Sequence, residues 1–275
     1  MILYTLIALS LLTGTAFTIF LDLIDKWYDA WILLVSYLGF FVVYVIIFLI
    51  FIAIYVSFIN MKKEPKPTKF CRNLIKRVCE LLIQIFKVKI HVRGMELLPE
   101  DKKFLFVSNH ISMFDPIVCM WLFRHKNISF ILKDSIMKIP AVNRALHKDL
   151  HLALDRSNNR QGLEVILKSI KLIKEDKKCV FVYPEGTRSK DGELKELHSG
   201  TFKVAEKAKC PIVVLTIINT NKISKRSLFK STNVYVDVAK VINYEEYKDL
   251  QTNEISDKVY EVMKDSLNEL SELKY

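Results

Sequence analysis

Apolar positions fall along this chain in three textures. Over residues 1–61 they are nearly continuous: Asp22, Asp25, Lys26 and Asp29 are the only charges, and residues 1–21 and 30–61 carry none. About 20 apolar residues in a helix rising about 1.5 Å per residue cross a hydrocarbon core of roughly 30 Å. Each stretch is therefore long enough to span. The second, Trp31 to Ile59, exceeds the need and has to tilt, bend or lie partly in the interface. The charged tetrad between them predicts a short turn and hence a helical hairpin. Residues 1–21 could also be read as a cleaved signal peptide, but they lack a basic n-region and a small-residue cleavage site. A hairpin dipping into one leaflet is a further alternative, which length does not separate from a spanning pair.

Residues 62–89 form the second texture, with nine Lys or Arg against Glu64 and Glu80, a local excess of +7. Pro65 and Pro67 stop the preceding helix. From Lys69 to Phe86, apolar Phe70, Leu74, Ile75, Val78, Leu81, Leu82, Ile85 and Phe86 recur at intervals of three and four between basic residues. That pattern fits a helix lying on an anionic membrane surface, or equally a core helix with solvated lysines. A basic flank after an apolar segment places it on the cytoplasmic side. The expected organisation is a membrane-anchoring hairpin at 1–61, a basic linker and amphipathic interfacial helix at 62–89, and an α/β domain at 90–275.

Beyond residue 87 short apolar runs alternate with amphipathic stretches. Strands are predicted at 87–93, 104–108, 128–132, 151–154, 179–183, 212–218 and 233–241, and helices at 116–124, 140–147, 159–174, 200–208 and 252–273. This alternation predicts an α/β fold: a mixed, substantially parallel sheet flanked by helices, preceded by the N-terminal hydrophobic hairpin. In such sheets ligand sites sit beyond the carboxyl ends of the strands.

Composition narrows the chemistry. The 275 residues carry a net charge of +11, which the position of the basic flank assigns to phospholipid headgroups in preference to nucleic acid. The seven glycines form neither common nucleotide loop, G-x-G-x-x-G or G-x-x-x-x-G-K-[ST]. Five scattered cysteines with no C-x-x-C spacing read as reduced thiols, and the histidines lack metal-ligand spacing.

Two polar clusters follow directly on strand ends. After FLFV comes Ser108-Asn109-His110-Ile111-Ser112-Met113-Phe114-Asp115-Pro116. Asp115 and Pro116 suit the start of a helix, which would make His110 an ordinary loop residue. Alternatively the turn folds Asp115 onto the imidazole, fixing its tautomer and leaving the other ring nitrogen as a base. After CVFV comes Tyr183-Pro184-Glu185-Gly186-Thr187-Arg188-Ser189. This is a turn by composition, but it also suits an anion cradle in which Arg188 grips a phosphate, helped by Thr187 and backbone N–H groups around Gly186. Glu185 could hold a polyol hydroxyl or orient the base. The basic run 222–230 reads best as a solvated loop, with a membrane or carrier-binding face as the alternative.

Together, Asn109-His110-x-x-x-x-Asp115 and Tyr183-Pro-Glu-Gly-Thr-Arg-Ser189 resemble the block signatures of the glycerolipid acyltransferases, in that family's order and spacing. Residues 133–156, with Lys133, Pro140, Asp155 and Arg156, resemble a further block, and 209–214 resemble the last. The hairpin is similar to that of the bacterial 1-acyl-sn-glycerol-3-phosphate acyltransferases. Tyr183 stands where Phe is commoner, and Asn143 where Gly is usual.

The resemblance implies transfer of an acyl group from acyl-CoA or acyl carrier protein to the sn-2 hydroxyl of a lysophosphatidate, giving phosphatidate. His110 and Asp115 would be catalytic. Asn109, Lys133, Arg156, Glu185, Gly186, Thr187 and Arg188 would bind substrate. Backbone N–H groups near Asn109–His110, or Lys133, would serve a tetrahedral oxyanion. No metal or redox cofactor is expected. The implied place is the cell membrane, with the catalytic domain on the cytoplasmic face. The alternatives are acylation of another lysophospholipid, or a non-enzymatic membrane-tethered basic module, which would leave both clusters unexplained.

Overall fold

A computed structural model describes residues 2–272 except 134, 135, 137, 156, 157, 190 and 227–229. Two apolar helices open the chain, α1 (Ile2–Phe20) and α2 (Trp31–Ser57). They pack as the expected hairpin. A Cβ on Gly14 would lie 2.6 Å from the Tyr37 ring, so only glycine admits this approach. Thr15 Oγ1 and Tyr37 Oη are 2.9 Å apart, and Phe17 meets Phe40 edge to face. The turn between the helices uses Asp22 at φ +48, and Asp29 Oδ2 accepts from the Lys26 N–H at 3.1 Å. Both helices are long and apolar enough to cross a membrane. They leave large side chains such as Leu12, Ile19, Phe20, Leu34 and Leu38 mostly exposed. Apolar exposure on this scale points to membrane association.

Helix α3 (Lys69–Ile85) starts at an N-cap, Thr68, whose side chain accepts from the Cys71 N–H. Its apolar face is turned to protein. Cys71, Cys79 and Ile83 are buried, and Ile75 and Phe86 pack against the core. This face is thus a core face. Phe70, on its outer side, meets Phe51 and Tyr55 of α2 edge to face.

The folded domain holds seven strands: β1 (Val88–Arg93), β2 (Leu105–Ser108), β3 (Ile128–Lys133), β4 (Leu152–Leu154), β5 (Cys179–Val182), β6 (Ile212–Ile218) and β7 (Thr232–Ile242). They form one sheet in the order β1-β7-β6-β2-β5-β3-β4. Every neighbouring pair is parallel except β6 with β7. The sheet is therefore mixed and mostly parallel, as expected, with β7 and β1 running against the other five strands.

Successive residues of β2 face opposite ways, so Phe104 and Phe106 enter one core while Leu105 and Val107 enter the other. The first core is covered by α3, α4 (Asp115–Leu122) and α5 (Pro140–Lys148), and the second by α6 (Asn159–Lys174), α7 (Lys203–Ala208) and α8 (Thr252–Glu272). Burial on both faces explains why these strands read as continuous apolar runs. Arg144 of α5 donates to Val56 O at 3.3 Å and Ser57 O at 2.7 Å. It caps the carbonyl end of α2 and ties the hairpin to the domain.

Candidate active site

Five parallel strands end at one edge, and the loops after β2, β3, β5 and β6 meet there around a cleft of about 620 Å³. Its lining includes apolar Ile111, Met113, Pro116, Ile131, Leu132 and Ile136. It also includes polar and basic Thr187, Arg188, Asn221, Ser224 and Lys225, and Lys133 at the end of β3. His110 is on the same lining.

Asp115 is fully buried at the start of α4, but its side chain does not cap that helix. It reaches backwards. Oδ2 accepts from the N–H groups of Ile111 and Ser112, each at 2.8 Å, and stands 2.7 Å from His110 Nδ1. Oδ1 accepts from the hydroxyl of Thr220. An ionised carboxylate only accepts, so Nδ1 carries the proton and Nε2 is left with its lone pair. The Tyr183 ring stacks on the imidazole at 4.2 Å between centroids, setting its plane. The Tyr183 hydroxyl is buried without a hydrogen-bond partner among the described residues, facing the thiol of Cys119, a weak partner. Burial pushes its pKa well above the usual phenol value.

The loop after β5 stitches the histidine's backbone in place. The His110 N–H donates to Glu185 Oε1 at 2.6 Å, and His110 O accepts from the Ser189 N–H at 2.7 Å. Glu185 is buried, and its other oxygen accepts from the Lys195 N–H at 3.3 Å. Burial, opposed by those two backbone donors, pushes its carboxyl up to about 7. Gly186 adopts φ +72, and a Cβ there would stand 2.5 Å from His198 Nε2, so the turn requires glycine. Thr187 and Arg188, just beyond it, are exposed on the cleft wall. Lys195 Nζ holds their backs, 3.1 Å from Arg188 O and 3.4 Å from Thr187 Oγ1.

The structure thus brings His110, Asp115, Lys133, Thr187 and Arg188 together around one cleft. Three other residues expected to bind substrate stand elsewhere. Asn109 is buried, and its amide both accepts from Ile217 N–H and donates to Ile217 O, at 2.8 and 2.9 Å. It pegs β2 to β6 because the end of β6 has backbone groups to satisfy. Glu185 and Gly186 shape the loop from behind. Arg156 lies outside the described residues. The His110 N–H, one of the backbone groups expected to serve an oxyanion, here donates to Glu185 instead.

Sequence reasoning missed the loop after β6. Thr220 touches Asp115, and Asn221, Ser224 and Lys225 line the cleft, although 222–230 read as solvated. The signal was present: a polar run, Asn219-Thr220-Asn221, follows an apolar strand as in the other two clusters.

Residues 89–218 match the family model described as Acyltransferase. A chloroplastic 1-acyl-sn-glycerol-3-phosphate acyltransferase from Arabidopsis thaliana is 32% identical over 204 residues, 73% of this chain and 56% of the relative. A 1-acyl-sn-glycerol-3-phosphate acyltransferase from Borreliella burgdorferi is 29% identical over 195 residues, 68% of this chain and 76% of the relative. The matches thus span about half the length of the plant relative and three quarters of the bacterial one. The crystal structure of the acyltransferase PlsC from Thermotoga maritima superposes with a TM-score of 0.64 at 21% identity, covering 82% of this chain and 89% of that one. It shares this fold.

Proposed function

We propose that residues 89–218, which match the acyltransferase family model, transfer an acyl group from a thioester to the sn-2 hydroxyl of 1-acyl-glycerol-3-phosphate, giving phosphatidate. The observation that carries this reading is the His110 Nδ1–Asp115 Oδ2 pair, 2.7 Å apart, on a cleft lined by both apolar and basic side chains. A lysophosphatidate has the same mixed chemistry. Its chain suits Ile111, Met113, Ile131 and Ile136, and its phosphate suits Arg188 with Lys225 and Lys133. Both sequence relatives are named as acyltransferases of this same substrate.

His110 Nε2 takes the hydroxyl proton as that oxygen bonds to the thioester carbonyl carbon. Asp115, buried and accepting from three N–H groups and Thr220, stabilises the imidazolium that forms. The tetrahedral oxyanion collapses by breaking the C–S bond, and the imidazolium returns its proton to the departing sulfur. Lys133, on the cleft lining, would serve as an oxyanion partner. The thioester carries its own activation, so the scheme uses no metal or redox cofactor, and either acyl-CoA or an acyl carrier protein would serve as donor. The hairpin holds the enzyme at the bilayer where its lipid substrate resides, with the domain on the cytoplasmic face.

His110→Ala should lower kcat by about 10²–10⁴, the usual worth of a positioned acid–base group. Asp115→Asn should also be severely slowed, because an amide keeps the size but loses the charge that stabilises imidazolium. Diacyl product formed from a panel of lysolipids with both donor types measures this. Normal turnover by both folded variants would refute the mechanism, and preference for a headgroup other than the phosphomonoester would refute the substrate.

A further inference from the structure

The least explained group at the site is a hydroxyl that no sequence motif contains. Thr220 follows β6, 105 positions after Asp115 in the chain, and is fully buried. Asn219 before it sits in the left-handed region at φ 71, ψ −2. Asparagine is among the few side chains that tolerate this conformation. That kink turns the chain sharply at the strand end. Thr220 points inward to Asp115, while Asn221, Ser224 and Lys225 face the cleft.

We propose that Thr220 is a positioning residue of the transfer reaction: its hydroxyl holds Asp115 Oδ1, so that Oδ2 is presented to His110 Nδ1. The inference rests on the general-base reading of His110. Its physical basis is the count of partners. Oδ2 takes three donors, all from residues 110–112, whereas Thr220 is the hydroxyl that engages Oδ1. Apart from His110 itself, the two backbone donors of Ile111 and Ser112 limit but do not lock rotation of the carboxylate about its Cβ–Cγ bond. A fourth donor on the other oxygen, from a different loop, removes that freedom. It also satisfies a lone pair that would otherwise be buried dry. The turn after β6 thereby couples the basic lining of the cleft to the alignment of the base.

Thr220→Val keeps the shape and removes the donor. Kinetics with lysophosphatidate and acyl-CoA should show kcat lower by on the order of 10–10², as expected when a reacting group is misaligned, with both KM values within about twofold. Thr220→Ser should recover most of the rate, since it restores the hydroxyl. The double variant Asp115→Asn/Thr220→Val should be no slower than Asp115→Asn alone, because Thr220 acts through Asp115. Should Val fail to fold, Thr220→Cys, a weak donor of similar size, carries the same comparison. Wild-type kcat in the Val (or Cys) variant, a Ser variant as slow as Val, or losses that add in the double variant would each overturn the proposal. If those results came with His110→Ala and Asp115→Asn still inactive, only the role of Thr220 would fall. Active His110→Ala would remove the general-base reading itself.

Discussion

His110 is held by backbone as much as by side chain. Its N–H and C=O are both bonded to the loop after β5, its Nδ1 faces Asp115, and its ring lies on Tyr183. A base so restrained keeps Nε2 aimed at one point, which is what proximity catalysis requires. The residue types of both clusters were legible in the sequence, but their division of labour was not. Asn109 and Glu185 read as substrate contacts because polar side chains in a loop beyond a strand are ordinarily accessible. Here both are buried, since Asn109 satisfies the backbone of Ile217 in β6 and Glu185 that of His110 and Lys195. Arg188 keeps its expected place on the cleft wall. Arg188→Lys retains the charge and loses the planar fork, so KM for lysophosphatidate should rise roughly tenfold, about 1.4 kcal/mol, the low end for charged hydrogen bonds at an exposed site. The KM of the thioester donor should hold steady. Steady-state kinetics varying each substrate separates the two, and a shift confined to the donor would move Arg188 to the other half of the site.

Elements are joined at the opposite edge of the sheet by a buried ionic cluster that plays no part in the cleft. Asp149, before β4, is 2.9 Å from Lys178, before β5, and 3.3 Å from Arg72 of α3. His151 accepts from the Phe130 N–H of β3 and lies 3.5 Å from Asp149. Burial alone would raise the carboxyl of Asp149, but the His151 hydrogen bond and the Lys178 charge override it and hold the group at about 2. A depressed carboxylate contributes stability that is present above its ordinary value near 3.8 and is lost as pH falls toward 2. Asp149→Asn leaves Lys178 buried without its counter-charge, costing about 3–5 kcal/mol. Thermal unfolding should then shift down by on the order of 10 °C at neutral pH, with the gap to wild type closing below about pH 4. Adding Lys178→Met should recover part of the loss. An unchanged midpoint in Asp149→Asn would show that the cluster stabilises nothing.

At the scale of the whole molecule, an apolar hairpin, a basic flank and a cleft partly lined by apolar side chains have to share one membrane surface. Arg144 fixes the hairpin to α5, and α5 begins just past Ile136 on the cleft wall, so anchor and site are mechanically continuous. By the positive-inside rule, the excess of +7 over residues 62–89 is expected on the cytoplasmic side. A cysteine placed at Lys66 should stay unlabelled by impermeant reagents in intact cells and react once the membrane is opened. Ready labelling in intact cells would reverse the orientation.

Element identity was legible because its signals are local. A period of 2 or 3.6, a proline, or a cap is read within a dozen residues, and strand β6, helix α6 and the two halves of the hairpin fall where those signals put them. The pairing of His110 with Asp115 is local too, spanning six residues. The reversal of β7, the turning of α3 into the core, the bond from Thr220 to Asp115 and the burial of Lys178 against Asp149 leave no such mark. Closing a loop of 30 residues or of 100 differs by only about 1 kcal/mol. Chain spacing therefore barely restricts which distant groups meet. What decides it is whether a buried donor finds its acceptor once the layers have packed.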